Sequence, residues 1–327
     1  MCTAISYKTK DHYFGRNLDL EYSYNETVTI TPRNYPFRFR KTGKMESHFA
    51  MIGVAFVQDD YPLYYDAVNE KGLSVAGLNF PHNADYKPLL EGKDNVAPFE
   101  LIPWILGQCA TVSQAEKLLR KINILGENFN NELPLTPLHW IVSDGEKSIT
   151  LEATKTGVKV YDNPVGVLTN NPTFDYHLMN LNNYMSLSCA DPENTFAGEK
   201  GHLELKTYSR GMGSLGLPGD ASSVSRFVRA AFVKANSVCE TSEEESVNQF
   251  FHILRSVEMP RGCVQVENGL FAVTVYTSCC NTDRGIYYYS TYDGGRIYAV
   301  DMHRENLLGN TLINYPMKKK APPELQN

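Results

Sequence analysis

The first 80 residues carry apolar positions in short, β-rich runs broken by polar, Gly or Pro punctuation. Residues 3–8, 27–33, 49–57 and 73–78 therefore predict strands. The period then changes. Ser113, Gln114, Ala115 and Glu116 form a capping-box pattern leading into a helix over 117–122, because a serine and a glutamate three residues apart satisfy each other's orphan amides. Strands are predicted again at 138–143, 148–153 and 157–161. A helix is expected from 175 to about 185, with Leu178, Leu181 and Met185 on one face. Two more helices are expected over 223–235 and from 242 to about 257. In the second, Val247, Phe250, Phe251 and Leu254 recur at i, i+3, i+4 and i+7.

The chain closes with strands. Runs at 286–289 and 296–300 flank Asp293-Gly294, a hairpin signal because Asp-Gly supplies the positive φ angles of a primed turn. Residues 186–220 show little periodicity and read as one long excursion, and 316–327 reads as a flexible tail. No internal repeat is present. Runs of strands beside runs of helices, without β-α-β alternation, point to a layered α+β fold. Gly211, Gly213 and Gly216 match G-x-G-x-x-G, yet no strand leads into them and Pro218-Gly219 follows, so they read as loop glycines.

Composition narrows the classes. The 327 residues are 42% hydrophobic, enough for a substantial core, and no seam divides residues 1–315, which are expected to form a single domain. Net charge is −6, with no basic run except Lys318 to Lys320, which argues against nucleic acid as a partner. Lys8, Lys10 and Asp11 interrupt any signal-like start, and the apolar run 49–57 is too short to span a bilayer. A cytoplasmic location without membrane insertion is expected. Seven cysteines without C-x-x-C pairs indicate reduced thiols, with neither a disulfide scaffold nor a metal site. Cys279-Cys280, neighbours in a strand-like run, point to opposite faces and read as packing residues. His139, inside an apolar strand, reads as a hydrogen-bonded core residue.

Cys2 carries the candidate chemistry. Removal of Met1, expected ahead of a small residue, would unite a thiol and a free α-amino group in one residue. Typical values of about 8.5 for the thiol and 7.7–8.0 for the amine make proton transfer between them inexpensive near neutrality. Such a nucleophile needs a cation beside the sulfur, a carboxylate to orient the amine and donors for an oxyanion. Arg16 and Asp19 supply the first two types; serving one residue together requires the strand to bend near Asn17 or Leu18. Asn79 and Asn170 stand at strand ends. Arg226 sits in the first turn of a predicted helix, where a cation opposes the dipole. Each also has an ordinary reading: Arg16 with Asp19 as an exposed ion pair, the asparagines as turn residues, Arg226 as a solvated charge. Spacing alone does not bring them together.

Five stretches taken in order, MCTAISYKTKDHYFGRNLDLEYSYNETVTITPRNYPF, NEKGLSVAGLNFP, TPLHWIVSD, GVLTNNPTFDYH and GLPGDASSVSRFVRAAF, resemble the choloylglycine hydrolases, and among them the bacterial bile salt hydrolases. The resemblance spans residues 1 to about 315. It implies an N-terminal-nucleophile amidase with a four-layer αββα sandwich of two antiparallel sheets between helical layers, acting on conjugated bile salts without a cofactor. It further implies Cys2 as nucleophile and base, Arg16 at the sulfur, Asp19 at the amine, Asn79 and Asn170 as the oxyanion hole and Arg226 as electrostatic support. An apolar substrate pocket is implied at Leu18, Tyr24, Tyr65, Phe129 and Leu133, as is a homotetramer assembled through 186–220. Penicillin V acylases share the fold but tend to carry tyrosine at the position of Asn79, which makes that activity the alternative.

Overall fold

The computed structural model describes residues 1–196, 203–319 and 325–326. Two antiparallel sheets lie face to face. The six-stranded one runs, edge to edge, Val167–Leu168, Cys2–Lys8, His12–Leu20, Val273–Asn281, Ile286–Thr291 and Tyr298–Asp301. The eight-stranded one runs Gly157–Asp162, Ser148–Thr154, Leu138–Ser143, Ser74–Asn79, Tyr61–Asn69, Met51–Gln58, Thr27–Thr31 and Ile313–Pro316. Helices Ser223–Ala235 and Glu243–Arg255 cover the outer face of the first sheet, with Phe174–Leu181 against Ser223–Ala235. Leu101–Leu106 and Val112–Leu119 cover the second. This is the αββα sandwich.

Burial follows from the layering. Central strands have a sheet on one side and a helix on the other, so His12–Leu20 is buried along nearly its whole length. Its polar members survive there because each is bonded: Asn17 Nδ2 donates to the Leu254 carbonyl, and Asn17 Oδ1 accepts from Thr277. The stripe Val247, Phe250, Phe251 and Leu254 is buried, with Ser242 as the N-cap accepting from the Glu245 amide. His139 and the Cys279-Cys280 pair are core residues, and all seven cysteines are free.

Several local expectations change. The capping box at Ser113 and Glu116 gives way to Thr111, whose hydroxyl accepts from the Gln114 amide. The helix is Val112–Leu119, and residue 122 opens a strand, Ile122–Ile124, paired with Asp94–Val96. Starting two residues earlier lets Val112, Ala115 and Leu119 share one buried face. Met185 does not continue the face of Leu178 and Leu181. The helix tightens into a 3₁₀ turn over Asn182–Tyr184, and Met185 is 80% exposed. The hairpin forms without a two-residue turn at Asp293-Gly294. Thr291 still pairs with Tyr276, so the turn opens there, and the positive φ falls on Gly295. The tail starts later than residue 316: Pro316 pairs with Thr27, and the Lys318 backbone bonds Thr291 Oγ1 and Tyr289 Oη. Residues 320–324 and 327 of that segment, and 197–202 of the excursion, lie outside the described residues. The described remainder of 186–220 contains the 3₁₀ turn Met212–Ser214 and exposes Phe196, Tyr208 and Leu215. Gly213 is required there, since a Cβ would meet the Ala190 carbonyl oxygen at 1.9 Å.

Among the described residues, no helix is long and apolar enough to cross a membrane, and no cluster of His, Cys, Asp or Glu is placed to hold a metal ion.

Candidate active site

Pairing of strands assembles the centre. Cys2 heads its strand opposite Leu18 on one side, while Ala4 pairs with Leu168 on the other, so the chain leaving Val167–Leu168 delivers Asn170 beside Cys2. The Cys2 backbone nitrogen donates to Asn170 Oδ1 at 2.8 Å. Asn170 is held at every polar atom. Its amide donates to Ser223 Oγ (2.8 Å), its carbonyl accepts from His177 Nε2 (3.0 Å), and its Nδ2 donates to the Asn79 carbonyl (2.7 Å). Burial pushes the His177 imidazole down to about 4, which keeps the ring neutral.

Arg226 closes the ring. Ser222 caps the helix Ser223–Ala235, so the guanidinium projects inward, fully buried, and donates to the Cys2 carbonyl, Thr3 Oγ1 (2.7 Å), Asn170 Oδ1 (2.7 Å) and the Ala221 carbonyl (3.1 Å). A cation in the first helical turn is thereby explained. Burial lowers its proton affinity, opposed by the charges of Asp19 and Cys2.

Arg16 is also fully buried and crosses between the sheets. Its Nη1 donates to the Tyr65 carbonyl at 3.0 Å and to the Gly77 carbonyl, and its Nη2 has no partner. Burial pulls its proton affinity down, yet Cys2, Tyr276, Asp66 and Asp19 together hold it above the usual arginine range. The expected bend takes another form. His12–Leu20 stays continuous, and the irregularity lies in its neighbour: Asp19 faces Thr274 and Leu18 faces Tyr276, which makes Val275 the extra residue of a β-bulge. Asp19 Oδ1 accepts from Thr274 Oγ1 at 2.6 Å, whereas its buried Oδ2 has no partner. The Asp19 backbone pairs with Met1, N to O at 2.9 Å and 2.7 Å, and its carboxylate makes no hydrogen bond to the Cys2 nitrogen.

The cavity beyond the thiol measures about 370 Å³ and lies between the Ser74–Asn79 end of the second sheet and the loop around 127–136. Cys2, Arg16, Asn79, Leu18, Tyr24, Tyr65, Phe129 and Leu133 all line it. Asp19, Asn170 and Arg226 stand behind Cys2, outside the lining. Sequence reasoning missed Phe56, Phe99, Ile102, Leu135 and Trp140, which also line the cavity; all but the loop residue Leu135 sit in strands or helices, where they carry the same signal as core residues. It also missed Thr3 and Ser223, polar residues whose partners Arg226 and Asn170 are distant in sequence, and His177, which bonds the Asn170 carbonyl from the helix that follows it. Arg40 braces the wall, with its guanidinium 5.6 Å and 6.0 Å from the Phe99 and Phe129 ring centres and a hydrogen bond to the Phe129 carbonyl. Among the described residues, the thiol of Cys2 is the one sulfur on this cavity, flanked by a cation and by side-chain amides. That set suits acyl transfer.

Comparison with known proteins gives the same direction. Residues 2–315 match the family described as linear amide C–N hydrolases, choloylglycine hydrolase family. The chain is 55% identical to a bile salt hydrolase/transferase of Lactiplantibacillus plantarum over 321 residues, covering 98% of each chain. It is 40% identical to a bile salt hydrolase/transferase of Clostridium perfringens over 325 residues, again covering 98% of each. The crystal structure of the mutant C2A conjugated bile acid hydrolase from Clostridium perfringens superposes with a TM-score of 0.91 at 37% identity, covering 100% of both chains. A penicillin V acylase from Agrobacterium tumefaciens superposes at 0.72 with 21% identity, covering 96% of this chain and 90% of that one, and shares the fold.

Proposed function

Because the chain belongs to the choloylglycine hydrolase family of linear amide C–N hydrolases, we propose that it is a bile salt hydrolase whose nucleophile is the Cys2 thiol. The observation that carries the residue assignment is the position of Cys2: its sulfur faces an apolar cavity while its own nitrogen is fixed on Asn170. After removal of Met1 that nitrogen is an α-amine. It takes the thiol proton as the sulfur attacks the amide carbonyl of a glycine or taurine conjugate. Asp19 Oδ2, buried and without a partner, accepts a second hydrogen of the amine. Arg16 Nη2, equally without a partner, is the donor assigned to the developing thiolate, and the electrostatic interaction between Arg16 and Cys2 supports that role.

The oxyanion of the tetrahedral intermediate is stabilised by the Asn79 amide and by the second hydrogen of Asn170 Nδ2, whose first is given to the Asn79 carbonyl. Collapse breaks the C–N bond, and the amine returns its proton to the departing glycine or taurine. Water then attacks the thioester and frees the bile acid. The steroid lies along Leu18, Tyr24, Tyr65, Phe129 and Leu133. No step calls on a cofactor. The exposed apolar residues of 186–220, with Met179 and Met185 beside them, support assembly of copies through that segment into a homotetramer. Seven free cysteines support a reducing, cytoplasmic setting.

The test is a substrate panel of glycocholate, taurocholate and phenoxymethylpenicillin, with the released amine or acid quantified by mass spectrometry. Higher kcat/KM on the bile conjugates is the expected result. A preference for the penicillin overturns the substrate assignment while leaving the nucleophile in place.

A further inference from the structure

Of the buried carboxylates among the described residues that were given no role above, Asp66 is the one hydrogen-bonded across the two sheets beside Arg16. Asp66, 1% exposed, sits in the strand Tyr61–Asn69 immediately after a second β-bulge. Val54 pairs with Asp66 and Ala55 with Tyr64, which leaves Tyr65 as the extra residue. The bulge does three things at once: it aims the Tyr65 carbonyl at Arg16 Nη1, lays the Tyr65 ring on the cavity, and turns Asp66 toward the other sheet. There Asp66 Oδ1 accepts from Tyr276 Oη at 2.6 Å, and Oδ2 accepts from Tyr287 Oη at 2.5 Å and from Ser278 Oγ at 3.4 Å. Ser278 Oγ in turn accepts from the Arg16 amide at 3.1 Å. Gly15 allows the approach, since a Cβ there would meet the Ser278 carbonyl oxygen at 2.0 Å.

The two bridges are reciprocal. Arg16 reaches from the six-stranded sheet to carbonyls of the eight-stranded one, and Asp66 reaches back to three hydroxyls of the first. Burial encloses Arg16, Arg226, Asp19 and Asp66, two cations and two anions. We infer that Asp66 is a positioning residue for the reaction: it is the countercharge that balances Arg16 between the sheets, leaving Arg16 Nη2 free at the Cys2 sulfur without binding the thiolate too tightly. The inference rests on the assignment of Cys2 as nucleophile.

The surroundings of Asp66 fit that role. The charged and titratable groups around it are Arg16 from His12–Leu20, Tyr276 and Cys280 from Val273–Asn281, and Tyr287 from Ile286–Thr291. On the sulfur side stand Tyr65, Asp19 and Arg226. Burial raises the Asp66 carboxyl above the usual carboxylate range, and Arg16 with the hydroxyl donors offsets only part of that rise. Each oxygen only receives hydrogen bonds, the arrangement of an ionised carboxylate. Without that charge, Arg16 faces the sulfur uncompensated. The thiolate is then favoured at lower pH, and a thiolate so held is a weaker nucleophile.

The experiment uses the full-length chain, with D66N and Y287F beside the parent protein. It reads kcat and KM on taurocholate, and the pH dependence of iodoacetamide alkylation at Cys2, followed on the N-terminal peptide by mass spectrometry. For D66N, kcat falls roughly ten- to a hundredfold with KM within about threefold, and the alkylation profile rises at lower pH than in the parent. Y287F removes a donor that holds the Asp66 proton affinity down, so the carboxyl is neutralised over part of the pH range and the profile shifts the same way by less; it carries the test if D66N does not fold. Unchanged kcat, or a fall in kcat with the alkylation profile unmoved, overturns the inference. Failure of the underlying assignment looks different: Cys2 of the parent protein would then alkylate no faster than the buried Cys109.

Discussion

A Cys2→Ala protein is expected to release taurine from taurocholate at least about 10⁴-fold more slowly than the parent while remaining folded. The Cys2 side chain is 3% exposed and small, so its loss removes one sulfur atom from the rim of a cavity and little of the core. Arg16, Asn79 and Asn170 keep their partners, because those bonds run through backbone atoms and through Arg226 rather than through the sulfur. Binding of the conjugate therefore persists while chemistry stops. Cys2→Ser is expected to fail as well, since a hydroxyl is far harder for an amine to deprotonate near neutral pH than a thiol. Calorimetric binding of taurocholate alongside the rate assay separates the two effects. Activity near the parent level in either variant removes Cys2 from the mechanism.

Asn170→Ala is expected to carry the second largest effect. Its side chain joins three things otherwise far apart in the chain: the Cys2 nitrogen, the Arg226 guanidinium and the Asn79 carbonyl. Loss of one oxyanion donor costs about 10²–10³ in kcat. Here the same truncation also frees the amine that moves the proton and leaves a fully buried guanidinium short of an acceptor. A fall in kcat/KM beyond about 10³-fold is thus expected, against about 10²–10³-fold for Asn79→Ala, which removes only the donor on the cavity side. Measuring kcat/KM for both variants on one conjugate checks the order. Equal losses would show that Asn170 acts as an oxyanion donor alone.

Much of this centre was legible in the chain, for reasons that differ by residue. Arg226 was conspicuous because a cation in a first helical turn opposes the dipole, and its four acceptors supply the compensation. Asn79 and Asn170 stood at strand ends; the cavity opens at the Asn79 end, and Asn170 lies behind Cys2. The strand period alone did not reveal the β-bulge beside Leu18 and Asp19, because the irregularity belongs to a partner more than 250 positions away, at Val275. Asp66 was invisible for the same reason. A bulge shows only when two strands are paired, and the three hydroxyls that hold Asp66 come from strands that follow it by over 200 residues. Apolar cavity residues such as Trp140 and Phe99 carry no mark that separates them from packing. The resemblance across five motifs supplied what periodicity could not, the grouping of six residues spread from position 2 to position 226 into one candidate site.

The most direct measurement is the mass of the N-terminal peptide from enzyme quenched in acid during turnover of taurocholate. A peptide beginning at Cys2, without Met1 and heavier by one choloyl group, is the predicted species. Unmodified peptide throughout turnover, or a choloyl adduct on any other residue, contradicts the mechanism.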